Sequence, residues 1–274
     1  MKNSFINKLL SICSWVLIFI LIIILINNFQ SSKFLIKSEK CYFPPNDSNL
    51  RIIHVIITRF MIEFYPFEGF PKKLHREDYI QNGIRVMKKY LFDSLENQEC
   101  KNFIWVLMIG DNTDIDKIKT LFDFNNSFES IILYKKDINN YLRNISKGFD
   151  ILITTRIDYD DRIYYDAVND VRKVININKP ILLYGYNNGV IYYEFNNKYY
   201  EFNMNYNNEG VMSIFVSLIL VLNKVNDIYN IYDLGAHIRL RKKILESYKS
   251  FGINELNDDP AIFESGEAKF VSKI

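Results

Sequence analysis

Only three cysteines, ten glycines, six prolines and three histidines occur in 274 residues, and each scarcity removes a class of protein. So few cysteines exclude a disulfide-stapled miniature scaffold. Glycine and proline at these levels exclude collagen-like and low-complexity chains. Charge of one sign is also lacking: 34 Lys+Arg against 32 Asp+Glu leave a net charge of +2. That balance provides no basic footprint for nucleic acid. With 49% hydrophobic residues, the chain is not one that stays disordered for want of apolar surface to bury. The 19 tyrosines and 21 phenylalanines, together with many Asn, Ile and Lys, reflect a compositional bias. Short motifs built from these residues carry little information, whereas motifs of Asp, Arg, His and Gly carry more.

One long apolar run is present. Leu9 to Ile26 reads LLSICSWVLIFILIIILI, with no charge between Lys8 and Lys33. That is the shortest length able to cross a hydrocarbon core of roughly 30 Å at 1.5 Å per residue. A cleaved signal peptide is the rival reading, but its apolar region is shorter and ends at a small-residue site, and here the run continues into NNFQSSKF. The expectation is one uncleaved transmembrane anchor, residues 9–26, after a short tail, residues 1–8. It makes the chain a single-pass membrane protein, of type II in the Golgi or endoplasmic reticulum if eukaryotic. Lysines flank the run on both sides (Lys2 and Lys8, then Lys33, Lys37 and Lys40), so charge asymmetry does not orient it. Cys41 and Cys100 are open to two readings, a disulfide in a lumenal domain or two free thiols.

Residues 27–50, with Pro44-Pro45, read as a stem. From Arg51 onward, short apolar runs alternate with helical patterns. RIIHVIIT (51–58), FIWVLMIG (103–110), Ser130–Tyr134 and DILITTR (150–156) have the β-branched, continuous apolar character of strands buried on both faces. Helical spacing is expected over Arg76–Leu95, Asp114–Phe124, Ile138–Ser146 and Arg162–Ile177. This alternation predicts a mostly parallel, Rossmann-like α/β sheet. After Pro180 the runs ILLYGY, VIYYEF and KYYEFNM, separated by NNG and NNK, suggest hairpins. Val211–Val225 reads as a buried core helix and Ala236–Ser250 as a basic helix, and residues 251–274 as a tail.

The sharpest chemical feature is ITTRIDYDDRI, in which Asp158, Asp160 and Asp161 directly follow an apolar strand. Ligands of open α/β sheets bind beyond the carboxyl ends of the strands. Carboxylates placed there suit a hard divalent cation, which in turn holds phosphate oxygens. A second D-x-D, Asp114 and Asp116, opens a helix, where acidic residues favour the helix dipole. For Asp158–Asp161 the alternative role is a solvated acidic turn capping a helix at Arg162.

Strand followed by TTR-x-D-x-DD resembles the glycosyltransferase A (GT-A) fold class. HVIITRF (54–60), SLENQECKNFIWVLMIGD (94–111), ITTRIDYDDRI (153–163) and LLYGYNNGVIYY (182–193) stand in an order similar to that of the rhamnosyltransferase family. The resemblance covers residues 51–245. It implies one GT-A-like domain over 51–250 and transfer of a sugar from a nucleotide-sugar donor to a glycan or other hydroxyl acceptor, aided by Mn2+ or Mg2+. Asp158, Asp160 and Asp161 would form the metal and diphosphate site, with Asp160 or Asp161 as the direct ligand. Asp111 would meet the nucleoside, and Arg59 and Arg156 would steady phosphates through bidentate hydrogen bonding; the plainer role of either arginine is a surface ion pair. His237 is the candidate late metal ligand. An inverting enzyme needs a carboxylate base, for which Glu209 is the candidate, with Glu194 and Glu201 behind it. His54 reads as a core residue and His75 as a surface or capping one. Two alternatives stand beside this reading: a nucleotidyltransferase, which would want a Gly- and Lys-rich phosphate loop after the first strand, and a non-catalytic glycan- or partner-binding protein at a membrane.

Overall fold

The computed structural model describes residues 41–42, 49–62, 77–122, 126–193, 198–203, 215–234 and 262–273. The transmembrane expectation at 9–26, most of the stem, the basic helix at 236–250, Glu209, His75 and His237 lie outside them. Among the described residues no helix is long and apolar enough to cross a membrane. Cys41–Ile274 forms one compact unit.

Its first half follows the expected alternation. Strand β1 (Ile52–Phe60) leads to α1 (Glu77–Met87), which continues through a π-helical turn (Lys88–Phe92) into the short α2 (Asp93–Glu96). Then come β2 (Ile104–Ile109), α3 (Ile115–Leu121), β3 (Glu129–Tyr134), α4 (Ile138–Ile145) and β4 (Ile151–Asp158). Asp114 caps α3, its carboxylate accepting from the Asp116 and Lys117 amides at 3.1 and 3.2 Å, so the second D-x-D belongs to a helix start. β1 pairs in parallel with β2 and β4, and β2 with β3.

The second half departs from expectation at four places. Arg162–Ile163 is a short strand, β5, and the helix α5 spans only Ala167–Lys173. The apolar run read as a helix contains β8 (Val216–Val221), antiparallel to both β4 and β6. β6 (Ile181–Tyr193) runs straight through the expected NNG turn, with register shifts against its neighbour at Tyr186/Asn188 and Asn188/Val190. It then pairs antiparallel with β7 (Lys198–Asn203), from Tyr193 opposite Lys198 to Asn188 opposite Asn203. The presumed tail supplies β9 (Ile262–Lys273), parallel to β6 and antiparallel to β5. Each departure is tertiary: a short apolar run fits a buried helix or a central strand equally until its partners are known. The resulting order is β3-β2-β1-β4-β8-β6-β9-β5, with β7 on β6. The sheet is therefore mixed, parallel through β4 and largely antiparallel beyond it.

Period-two alternation divides the parallel strands between two cores. Ile52, Ile56, Phe60, Trp105 and Leu107 pack with Ile84, Met87 and Leu91 of the first helical layer and with Val168 and Val171 of α5. On the opposite face Ile53, Val55, Ile57 and Val106 pack with Ile138 and Leu142 of α4 and with Ile231 and Leu234. His54 is a core residue as expected: it is buried, and its Nε2 lies 2.7 Å from Thr155 Oγ1, itself 2.7 Å from Ser217 Oγ. Burial foremost, and then the charge of Arg172, hold the imidazole pKa well below its usual value. Cys41 and Cys100 are joined in a disulfide, which resolves the two readings of that pair. The bridge ties the chain ahead of β1 to the segment that leads into β2.

Candidate functional site

In the order β3-β2-β1-β4 the chain steps outward from β1 on one side and then returns to its other side. The β1/β4 boundary is thus the topological switch point, where open α/β sheets form their ligand crevice beyond the carboxyl ends of the strands. Arg59 and Asp158 are register partners across that boundary. The guanidinium donates from Nε to Asp158 Oδ1 at 2.8 Å and from Nη2 to Oδ2 at 3.2 Å, a bidentate fork. Arg156, two residues earlier on β4 and therefore on the same face, brings Nη2 to 3.8 Å from Asp158 Oδ2.

The side chains are unequally shielded. Arg59 and Asp158 are 28% and 24% exposed, whereas Arg156 is only 3% exposed. Tyr232 lies against both guanidinium groups, its ring centroid 5.1 Å from Arg156 Cζ and 6.0 Å from Arg59 Cζ, within cation–π range. Its hydroxyl donates to the Ile57 carbonyl at 3.3 Å. Burial foremost, and then the negative charge of Asp158, push the phenol pKa upward, while Arg156 and Arg59 pull it back. The neighbouring Ile231 amide donates to Thr154 Oγ1 at 3.0 Å, fastening this segment to β4. Arg156 Nε is buried and has no hydrogen-bond partner among the described residues. Buried donors are normally satisfied, so this atom marks a place where a ligand oxygen would be favourable.

Beyond Asp158 the chain turns sharply, the Asp161 amide donating to the Asp158 carbonyl at 3.2 Å. Asp160 sits in this turn and Asp161, at 3% exposure, is buried beneath it. No helix starts at Arg162, so the carboxylates do not cap one. Asp111 follows β2 on the same sheet edge and accepts from the Lys136 amide at 3.2 Å. Close packing shapes this edge as well. Met61 adopts a left-handed φ of 55° just after β1, and a Cβ on Gly110 would fall 2.6 Å from the Met61 carbonyl oxygen. Only glycine lets the two strand ends approach so closely.

Arg59, Arg156, Asp158, Asp160, Asp161 and Asp111 thus share one sheet edge, and the first three are in direct contact. Tyr232 had no signal in so tyrosine-rich a sequence. Among the described residues no three His, Cys, Asp or Glu side chains are grouped to hold a metal ion. The donor chemistry fits a divalent cation in a narrower sense. Mg2+ characteristically takes one or two protein carboxylates and completes its shell with water and substrate phosphates, and Asp160 and Asp161 supply carboxylates of that kind.

No family model matches the chain, and none of the curated proteins does. Among solved structures it is similar to S. aureus TarS in complex with UDP, at 15% identity and a TM-score of 0.42 over 81% of this chain. It spans 60% of that solved chain, TarS residues 1–349, and 37% of the longer TarS structure. It is also similar to the mannosyltransferase PcManGT from Pyrobaculum calidifontis in complex with GDP-Man and Mn2+, at 8% identity and a TM-score of 0.44 over 91% of this chain and 64% of the other. The inositol-1-phosphate CTP transferase from T. maritima is matched at 11% identity and a TM-score of 0.34, over 81% of this chain and 89% of the other.

Proposed function

We propose that the chain is a membrane-anchored, metal-dependent glycosyltransferase that moves a hexose from a nucleoside-diphosphate sugar to a hydroxyl acceptor. The observation that carries the reading is the grouping of Arg59, Asp158 and Arg156 across the β1/β4 switch point, followed at once by Asp160 and Asp161. Two guanidinium groups beside a carboxylate turn suit a diphosphate that carries its own cation. Rhamnose as the transferred sugar rests on the resemblance of the sequence motifs alone.

In this reading Arg59 and Arg156 orient the diphosphate, and Asp111 meets the nucleoside. Asp160 and Asp161 hold Mn2+ or Mg2+, with His237 as a further ligand. When bound, the cation would offset the charge that develops on the leaving diphosphate. Holding donor and acceptor together removes much of the entropic barrier to transfer. Glu209 is the carboxylate proposed to take the acceptor proton. Residues 9–26 would anchor the domain, and the Cys41–Cys100 bond supports its placement in an oxidising compartment.

The test is thermal unfolding with UDP, GDP, CDP and dTDP, each with and without Mn2+. One nucleotide is expected to stabilise the protein in a metal-dependent way, and its sugar conjugate to be hydrolysed slowly in the absence of acceptor. Replacing Asp160 and Asp161 together by Asn should abolish that turnover. If no nucleotide shifts the melting temperature at millimolar concentration, the reading fails.

A further inference from the structure

We infer that Asp158, the first carboxylate of the D-x-DD run, is not a ligand of the cation but the fixed counterion that sets Arg59 and Arg156 as a two-guanidinium fork for the diphosphate, with Tyr232 as the floor of that fork. This deepens the function proposed above and rests on it.

Three observations carry it. Both Asp158 oxygens are engaged by Arg59, at 2.8 and 3.2 Å. A cation there would share those oxygens with two charge-assisted bonds, and it would sit beside two guanidinium groups that repel it. Second, Arg156 is 3% exposed, and Asp158 Oδ2 at 3.8 Å is its ion-pair partner. A buried guanidinium needs a nearby negative charge, and replacing Asp158 by a neutral residue removes one. Third, Arg156 Nε is buried and unsatisfied among the described residues, while the guanidinium lies against the Tyr232 ring. Its position is therefore set by groups that leave a donor for an incoming oxygen. Asp158 acts through the arginines and Tyr232 through stacking, which makes both positioning residues. Asp160 and Asp161, on the turn beyond, remain the carboxylates for the cation.

The experiment uses inorganic pyrophosphate, which has the diphosphate chemistry without a base or sugar, and measures its binding calorimetrically with and without Mn2+. Asp158→Ala is expected to weaken binding roughly tenfold in both conditions, as loss of a charged hydrogen-bonded partner does. The Mn2+ concentration at half-maximal enhancement should stay within about twofold of wild type. Adding Asp158→Ala to Arg59→Ala should weaken binding further by clearly less than about tenfold, the remaining effect passing through Arg156, which is the non-additivity expected of residues acting as one unit. Asp160→Asn with Asp161→Asn should do the opposite, raising the Mn2+ requirement and sparing metal-free binding.

The inference is overturned if Asp158→Ala raises the Mn2+ requirement while sparing metal-free binding, or if its effect multiplies with that of Arg59→Ala. Should Asp158→Ala fail to fold, Asp158→Asn and Tyr232→Ala are each expected to weaken metal-free binding without moving the Mn2+ requirement, and the reverse pattern overturns the inference equally. Failure of the wild-type protein to bind pyrophosphate or any nucleoside diphosphate would sink the proposed function itself, and this inference with it.

Discussion

In β3-β2-β1-β4 every pairing is parallel and successive strands are joined through a helix, whereas β8, β6, β7, β9 and β5 are mostly antiparallel and draw partners from distant parts of the chain. The first region is built of local units, each strand packing on the helix that follows it. The second exists only when remote segments meet: β5 has two residues, and its partners are Phe270 and Val271 of β9. The charged cluster lies in the first region, at its last strand. The second closes the sheet beside it, through β8 on β4.

That contrast can be broken or sharpened by experiment. The largest effect is expected from the disulfide, which belongs to the parallel region alone. Replacing Cys41 and Cys100 by Ala opens a loop of 59 residues of sequence separation, a change worth about 4 kcal/mol in the chain-entropy treatment. Urea unfolding of the variant should give this loss; an unchanged midpoint would mean that the bridge does not constrain the unfolded chain.

Next come matched core truncations, Leu107→Ala in β2 and Leu218→Ala in β8, both fully buried. Each should cost about 3 kcal/mol. Hydrogen exchange then distinguishes the regions. If Leu218→Ala releases the amides of β8 and β6 while β1 and β2 stay protected, the regions open separately; if all open together, the sheet is one cooperative unit.

Gly110→Ala places a methyl against the Met61 backbone and should cost about 2 kcal/mol through the shift it forces. It should also weaken nucleotide binding, because the strand ends that carry the site must separate. Unchanged stability would show that this edge yields easily.

The smallest effect concerns the boundary itself, where the His54–Thr155–Ser217 chain crosses from β1 through β4 to β8. The folded protein keeps His54 neutral because its pKa is depressed, while the unfolded chain takes up a proton below about pH 6.5. Stability is therefore full above that pH and falls as the pH drops below it. The slope is roughly 1.4 kcal/mol per pH unit, down to the folded pKa. Thermal unfolding between pH 7 and 5 should show the decline, and His54→Gln should flatten it. An equally steep slope in the variant would assign the decline to other groups.

The parallel region was legible because its signals are local. A buried strand such as β4 (Ile151–Asp158) opens as an apolar run with β-branched residues, and α1 shows its inward positions Ile80, Ile84 and Met87 at helical spacing. The acidic turn was legible because Asp and Arg stand out against an Asn- and Tyr-rich background. Tyr232 was not, since nothing separates it from the other tyrosines before folding brings it onto Arg156. Val216–Val221 and Ile262–Lys273 were misread for a related reason: an apolar run, or a polar-apolar alternation near the end of a chain, takes its structure from partners that sequence order does not reveal.

By itself, then, the sequence determined the alternating strands and helices of the first half and the edge at which charged residues gather. These follow from periodicity, burial and charge, which act over a few residues. Tertiary structure alone decided that Cys41 meets Cys100, that β8 and β9 complete the sheet, and that Asp158 is engaged by Arg59 and Arg156 beside Tyr232. Those outcomes depend on which distant groups come within hydrogen-bonding distance once the chain is packed, and no local propensity encodes that.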